Sequence, residues 1–153
     1  MHIMFVCLGN ICRSPAAEAI FRRVTVTENA EHRYHADSAG TAAYHVGEAA
    51  DARMRRAAKA RGISITHRGQ QLTRAHLRQF DLILCMDKEN LSDAQSLTSV
   101  PEELAKIMLL RDFDPQGLGD VPDPYYGGAA GFERVLDILT RSAEELFRRL
   151  EGI

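Results

Sequence analysis

His2-Ile3-Met4-Phe5-Val6-Cys7-Leu8-Gly9-Asn10-Ile11-Cys12-Arg13-Ser14-Pro15 is the stretch on which the fold turns. His2 to Val6 is a short apolar run of strand length. Beyond it, Pro15 opens PAAEAIFRRV, where Ala16, Ala19, Ile20 and Val24 recur at helical spacing. The segment between holds Gly9 and Asn10, residue types that enter positive φ readily, and ends at Ser14, an expected N-cap with Pro15 in the first helical position. Glu18 lies four residues after Ser14, one too far for a strict capping box. Strand, loop and helix are therefore expected in that order.

The same alternation continues outward. Tyr34 to Ser38 is a weaker strand candidate, and Gly47 to Arg61 has helical period until Gly62 stops it. Asp81 to Met86 and Lys106 to Leu110 are continuous apolar runs, as strands buried on both faces should be. From Phe132 to Leu150 the apolar positions Val135, Leu136, Leu139, Ala143, Leu146, Phe147 and Leu150 mark a long amphipathic helix. These elements predict a doubly wound α/β fold with a mostly parallel sheet, whose ligands bind at the strand C-terminal ends. Asp112 to Gly131, rich in Gly, Pro and Asp, reads as one long functional loop.

Bulk properties bound the rest. A chain of 153 residues suits one domain, 1–153, and a composition 45% hydrophobic and 26% charged is ordinary for a globular protein. A net charge of −2 argues against a nucleic-acid partner held by a basic field. No stretch approaches the roughly 20 apolar residues of a membrane span, and the first residues lack a signal-peptide layout, so a cytoplasmic protein with no membrane partner is expected. Cys7, Cys12 and Cys85 show no zinc-ligand spacing and read as individual thiols, Cys85 as inert core within a strand.

The loop from Cys7 to Ser14 has the makings of a phosphate cradle. A dianion needs converging backbone N–H groups, a cation and tolerant backbone, and this loop offers the following helix N-terminus, the fork of Arg13, and Gly9 with Asn10. The same groups would favour a thiolate on Cys7, making it nucleophilic, with the Ser14 hydroxyl donating to the sulfur. A buried strand-end cysteine is the plainer reading of Cys7 alone. Phosphoryl transfer from a phenol also needs a proton donor. Asp123 is the candidate, stiffened by Pro122 and Pro124 and flanked by Tyr125 and Tyr126, which would wall a phenyl pocket and desolvate the acid. Asp120 is its local rival, and an ordinary Asp-Pro turn the plain alternative.

With CLGNICRSP at the start, DSAGT at Asp37 to Thr41, ILCMD at Ile83 to Asp87 and DPYYGG at Asp123 to Gly128, the chain resembles the low-molecular-weight protein tyrosine phosphatases over essentially its full length. The resemblance implies a four-stranded parallel sheet flanked by helices on both faces, with the phosphate-binding loop after the first strand. It implies hydrolysis of phosphotyrosine through a phosphocysteine on Cys7, with Arg13 binding phosphate, Asp123 as acid then base, and no metal or organic cofactor. Leu8, Gly9, Asn10, Ile11, Cys12 and Ser14 would complete the phosphate-binding loop, with Ser14 stabilising the thiolate and Asn10 held by Ser38 and His67. Tyr44, Tyr125 and Tyr126, together with Leu8 and Ile11, resemble the rim around the substrate ring. Related phosphoarginine phosphatases look to carry a threonine where Ile11 stands, so Ile11 favours tyrosine. Cys12 matches a second loop cysteine that can form a reversible disulfide with the nucleophile. The implied partners are a phosphotyrosine-containing protein, a tyrosine kinase among the candidates, and inorganic phosphate as product, with the enzyme a monomer or weak dimer.

Two other functions fit part of the pattern. An arsenate reductase of the same fold would need a mobile downstream cysteine pair, and only Cys85 lies beyond the loop. A non-catalytic oxyanion-binding or redox-sensing module would have no use for a complete nucleophile, arginine and acid.

Overall fold

In the computed structural model, which describes residues 1–125 and 127–153, four strands form one sheet. They are β1 (His2–Cys7), β2 (His35–Gly40), β3 (Leu82–Cys85) and β4 (Ile107–Leu109), all parallel, in the order β2-β1-β3-β4. Six α-helices accompany them: α1 (Arg13–Thr27), α2 (Ala52–Ala60), α3 (Arg74–Gln79), α4 (Lys88–Gln95), α5 (Pro101–Leu104) and α6 (Ala129–Glu151). The strand order reverses between β1 and β3, and the crevice that such a reversal opens at the strand C-terminal ends receives the loop after β1.

Side-chain alternation assigns the layers. Ile3, Phe5 and Cys7 of β1, with Leu84 of β3, join the core built with α1, α2 and α6. Met4, Val6, Ile83 and Cys85 face the other way and pack with Leu77 of α3 and Ala94 of α4. Helices thus cover both faces, and central strands buried on both sides read as unbroken apolar runs. Among the described residues no helix is long and apolar enough to cross a membrane.

Several boundaries differ from the sequence reading, each for a local reason. Helix α1 begins at Arg13, so Ser14 and Pro15 are its second and third residues and Cys12 is the N-cap, without a side-chain cap bond. The Ser14 hydroxyl is engaged by Cys7 and Asn10 instead of capping backbone. Pro15 still costs nothing there, because first-turn N–H groups have no intrahelical acceptor. Helix α2 starts at Ala52, not Gly47: Asp51 caps it by accepting from the backbone N–H groups of Arg53 and Met54. Strand β2 runs two residues past Ser38, and α6 begins at Ala129, three residues before Phe132. Helices α3, α4 and α5 were not anticipated, since each is too short to show a period; α3 buries only Leu77 and α4 only Asn90 and Ala94.

At the end of β1 the chain passes close to its neighbour. Cys7 pairs with Gly40, and Thr41 and Ala42 donate to the carbonyls of Cys7 and Leu8 at 2.9 and 3.0 Å. A Cβ at Gly40 would stand 2.7 Å from the Leu8 carbonyl oxygen, so only glycine lets β2 support the loop this closely.

Candidate active site

The loop between β1 and α1 closes over the Cys7 sulfur. The Asn10 N–H donates to Cys7 Sγ at 3.3 Å, and Ser14 Oγ lies 2.9 Å from the same atom. Asn10 is in the left-handed region, with φ 57°, whereas Gly9 is not, contrary to the expectation that both would use positive φ. The absent Cβ of Gly9 serves instead to admit the His45 ring, 3.1 Å from where that Cβ would lie.

The Asn10 side chain fixes the polarity of the network around it. Its Oδ1 accepts from the Gln70 N–H at 3.0 Å, which makes the other amide atom the donor; Nδ2 donates to Ser14 Oγ at 2.8 Å and Ser38 Oγ at 3.1 Å. With a lone pair of Ser14 so occupied, its proton turns to the sulfur. Ser38 likewise donates to Glu18 Oε1 at 2.8 Å. Two donor chains thus diverge from the Asn10 amide, one through Ser38 to Glu18 and one through Ser14 to Cys7. Sequence reasoning placed Ser38 and His67 beside Asn10, and both are there; it missed Glu18 and Gln70. Glu18 lay in view as a failed capping box, and its burial inside a helix was the unread signal.

His67 Nε2 lies 2.8 Å from Asn10 Oδ1, an acceptor, so it donates. Its Nδ1 then faces Glu18 Oε1 at 3.2 Å and Asp37 Oδ1 at 3.4 Å. A lone pair cannot face two carboxylates stably, so one proton is held between Glu18 and His67. Burial, only partly opposed by the Ser38 hydrogen bond and by Arg22, pushes Glu18 up to about 7. Burial pulls His67 below its ordinary value. Glu18 is therefore the proton's holder. Among the described residues Glu18, Asp37 and His67 are also the group whose ligand atoms, within 4.8 Å of one another, could hold a metal ion. Their oxygens already accept from Ser38, and a shared proton satisfies the set.

Arg13, only 3% exposed, is anchored by the segments that follow β3 and precede α6. Its Nη1 donates to Asp87 Oδ2 at 2.7 Å and to the Val121 carbonyl at 3.0 Å, while Nη2 faces Asp123 Oδ2 at 3.6 Å. Burial alone would weaken its hold on the proton, but Cys7, Asp87 and Asp123 outweigh that and raise it. Asp87 escaped the sequence reading as a functional residue; it also caps α4 through the Asn90 N–H at 2.8 Å, which is how its carboxylate is aimed.

Cys7, Leu8, Gly9, Ile11, Cys12, Arg13, Tyr44, His45, Asp123 and Tyr125 line one cavity of about 230 Å³. Asp123 reaches it with its Oδ1 accepting from the Tyr125 N–H at 3.0 Å. Its side chain is 42% exposed, so Tyr125 does not desolvate it as expected. Asp120 is turned away, accepting from the Lys88 N–H at 3.0 Å. Tyr44 stands 73% exposed at the rim, His45 is a lining residue that the sequence reading did not name, and Tyr126 lies outside the described residues. Burial, with Asp51, Cys7 and Asp123 nearby, raises the Cys12 thiol well above its ordinary value, and burial does the same to Cys85, which lies in the opposite core.

Comparison with known proteins places the chain. A family model described as low molecular weight phosphotyrosine protein phosphatase matches residues 2–152. Proteins bearing that name are 40% identical in Gallus gallus, over 96% of this chain and 94% of theirs, and 46% identical in Rattus norvegicus, over 87% and 85%. A protein tyrosine phosphatase from Entamoeba histolytica, solved with Hepes in the active site, superposes with a TM-score of 0.96 at 41% identity, covering 99% of this chain and 97% of its own.

The Glu18 proton generates a test. A carboxyl that binds its proton more tightly folded than unfolded stabilises the fold at low pH, and that contribution drains away as pH rises from 4.5 to about 7. Glu18→Gln cannot ionise, so its denaturation midpoint should gain on the wild type across this window and hold a constant offset above it. Parallel profiles would show that Glu18 carries no such proton.

Proposed function

The chain belongs to the low molecular weight phosphotyrosine protein phosphatases, hydrolases that act on phosphotyrosine substrates, and we propose that it does so with Cys7 as nucleophile, Arg13 as phosphate clamp and Asp123 as acid and base. The observation that carries this assignment is the convergence of these three side chains on one small cavity, with Arg13 paired to Asp123 at 3.6 Å.

In the first step the Cys7 thiolate attacks phosphorus, the bond to the phenolic oxygen breaks, and Asp123 gives that oxygen its proton. In the second, Asp123 takes a proton from water as the water oxygen attacks the phosphocysteine; the P–S bond breaks, inorganic phosphate leaves, and the Ser14 O–H steadies the returning sulfur charge. The fork of Arg13 matches the equatorial oxygens in both steps. Leu8, Ile11, Tyr44 and Tyr125 form the rim, consistent with a phenyl ring rather than a short aliphatic side chain at the mouth. The natural substrate is read as a phosphotyrosyl protein, a tyrosine kinase among the candidates, met in the cytoplasm by a single-domain enzyme that is a monomer or weak dimer.

Cys12 lines the same cavity as Cys7 and is placed to resolve an oxidised Cys7, at a rate that burial and Asp51 restrain by raising its thiol. Peroxide converts the Cys7 thiolate to a sulfenic acid, and the Cys12 thiol displaces hydroxide from it, giving a disulfide and water.

Three outcomes test these roles. Cys7→Ser should abolish hydrolysis of aryl phosphates yet keep orthovanadate binding; residual turnover would remove Cys7 from its role. Asp123→Ala should cost phenyl phosphate about 10²–10³-fold in kcat while sparing p-nitrophenyl phosphate, whose leaving group needs little protonation. An equal loss on both would assign Asp123 to positioning alone. After a peroxide pulse and dithiothreitol, Cys12→Ser should regain less activity than the wild type, and equal recovery would retire the protective disulfide.

A further inference from the structure

Arg53 stands beside the cavity without lining it, and its placement is unusually determined for a partly exposed side chain. Asp51 grips it in two prongs, Oδ1 accepting from Nε at 3.1 Å and Oδ2 from Nη2 at 3.0 Å, and Oδ1 also takes the Arg53 backbone N–H at 2.8 Å. The backbone N–H of Asp51 donates to the Ile11 carbonyl at 2.8 Å, so the grip is bolted to the phosphate-binding loop. The guanidinium lies between two rings, 5.0 Å from the centre of Phe132 and 5.3 Å from that of Tyr125. Phe132 is 2% exposed and fixed in α6, whereas Tyr125 is a wall of the cavity.

An ion pair two residues apart on one helix start, with the Arg53 side chain 41% exposed, contributes little to stability on its own. What the pair does accomplish is to present a flat cation to an aromatic face at a fixed position. The Tyr125 backbone N–H in turn donates to the carboxylate of Asp123 at 3.0 Å. A continuous line of contacts therefore joins Ile11, Asp51, Arg53, Tyr125 and Asp123, and it spans the gap between the loop that carries the nucleophile and the loop that carries the acid.

We propose that Arg53 is a positioning residue that holds the Tyr125 ring against the cavity, and so sets the preference of the site for aryl over alkyl phosphate esters. This rests on the phosphatase reading above. A substrate ring, phenyl or nitrophenyl, stacks or edges against Tyr125 only while Tyr125 is held upright. An alkyl ester makes no use of the ring wall, so its turnover is the internal reference. Any change in field from losing a cation falls on aryl and alkyl esters alike, and the ratio removes it.

The experiment measures kcat/KM for phenyl phosphate, p-nitrophenyl phosphate and an alkyl phosphate on wild type, Arg53→Ala, Arg53→Lys, Tyr125→Ala and the Arg53→Ala/Tyr125→Ala double variant, with orthovanadate binding and Tm recorded for each. Arg53→Ala should lower the phenyl phosphate and p-nitrophenyl phosphate values alike, about tenfold, with the alkyl ester within about twofold. Arg53→Lys, which keeps charge but not the planar fork, should not restore it. The double variant should be no worse than Tyr125→Ala, because Arg53 acts through that ring. Uniform loss across all three esters, full rescue by lysine, or additive effects would each overturn the role of Arg53. A wild type inactive on every ester would instead sink the phosphatase reading, and an active wild type matched by Arg53→Ala with unchanged orthovanadate binding would sink the clamp alone.

Discussion

Asn10 holds a left-handed backbone, φ 57°, at a cost of about 1–2 kcal/mol for a residue with a Cβ, and its side-chain amide makes four hydrogen bonds that offset it. Two donors go to Ser14 and Ser38, and one oxygen receives Gln70 and His67. Those partners come from α1, β2 and the segment before α3, so a single 1% exposed side chain ties three parts of the chain to the curl of the loop. The backbone N–H of the same residue reaches Cys7 Sγ. Without that amide, the N–H groups would not converge and the sulfur would lose its donors.

The network that secures the loop is polar and lies in an otherwise apolar interior, and such networks stabilise only when every member has a partner. Glu18 makes the difference. As a carboxylate it would oppose Asp37 and the lone pair of His67; holding a proton, it completes the set. The polar interior therefore depends on one titratable group, which is why pH acts on the frame of the site as well as on its chemistry.

Arg13 is solved differently. Its positive charge is buried, yet Asp87 and the Val121 carbonyl take one nitrogen and Asp123 faces the other. A buried cation without partners would be prohibitive; with its hydrogen bonds committed at Nη1 and Asp123 standing 3.6 Å from Nη2, the N–H groups of Nη2 can turn to an oxyanion. Since Asp87 is at once the cap of α4 and the anchor of Arg13, helix start and phosphate site are set by one carboxylate.

Much of this was legible in the sequence. Apolar runs long enough to be strands, a helix with a wide apolar stripe and a loop of Cys, Gly, Asn, Arg and Ser between strand and helix depend on local pattern, and they gave the alternation of elements and the loop after β1 and singled out Cys7, Arg13 and Asp123 as candidates. Short helices escaped because six or eight residues show no period, and Ser14 was misread as a cap because its hydroxyl had a distant claimant in Cys7. Which of Asp120 and Asp123 lines the cavity, the coupling of Glu18 to His67, the anchoring of Arg13 by Asp87 and the stacking of Arg53 on Tyr125 were decided only by the tertiary structure. Each joins residues dozens of positions apart through the direction of a side chain, and no spacing along the chain encodes a direction.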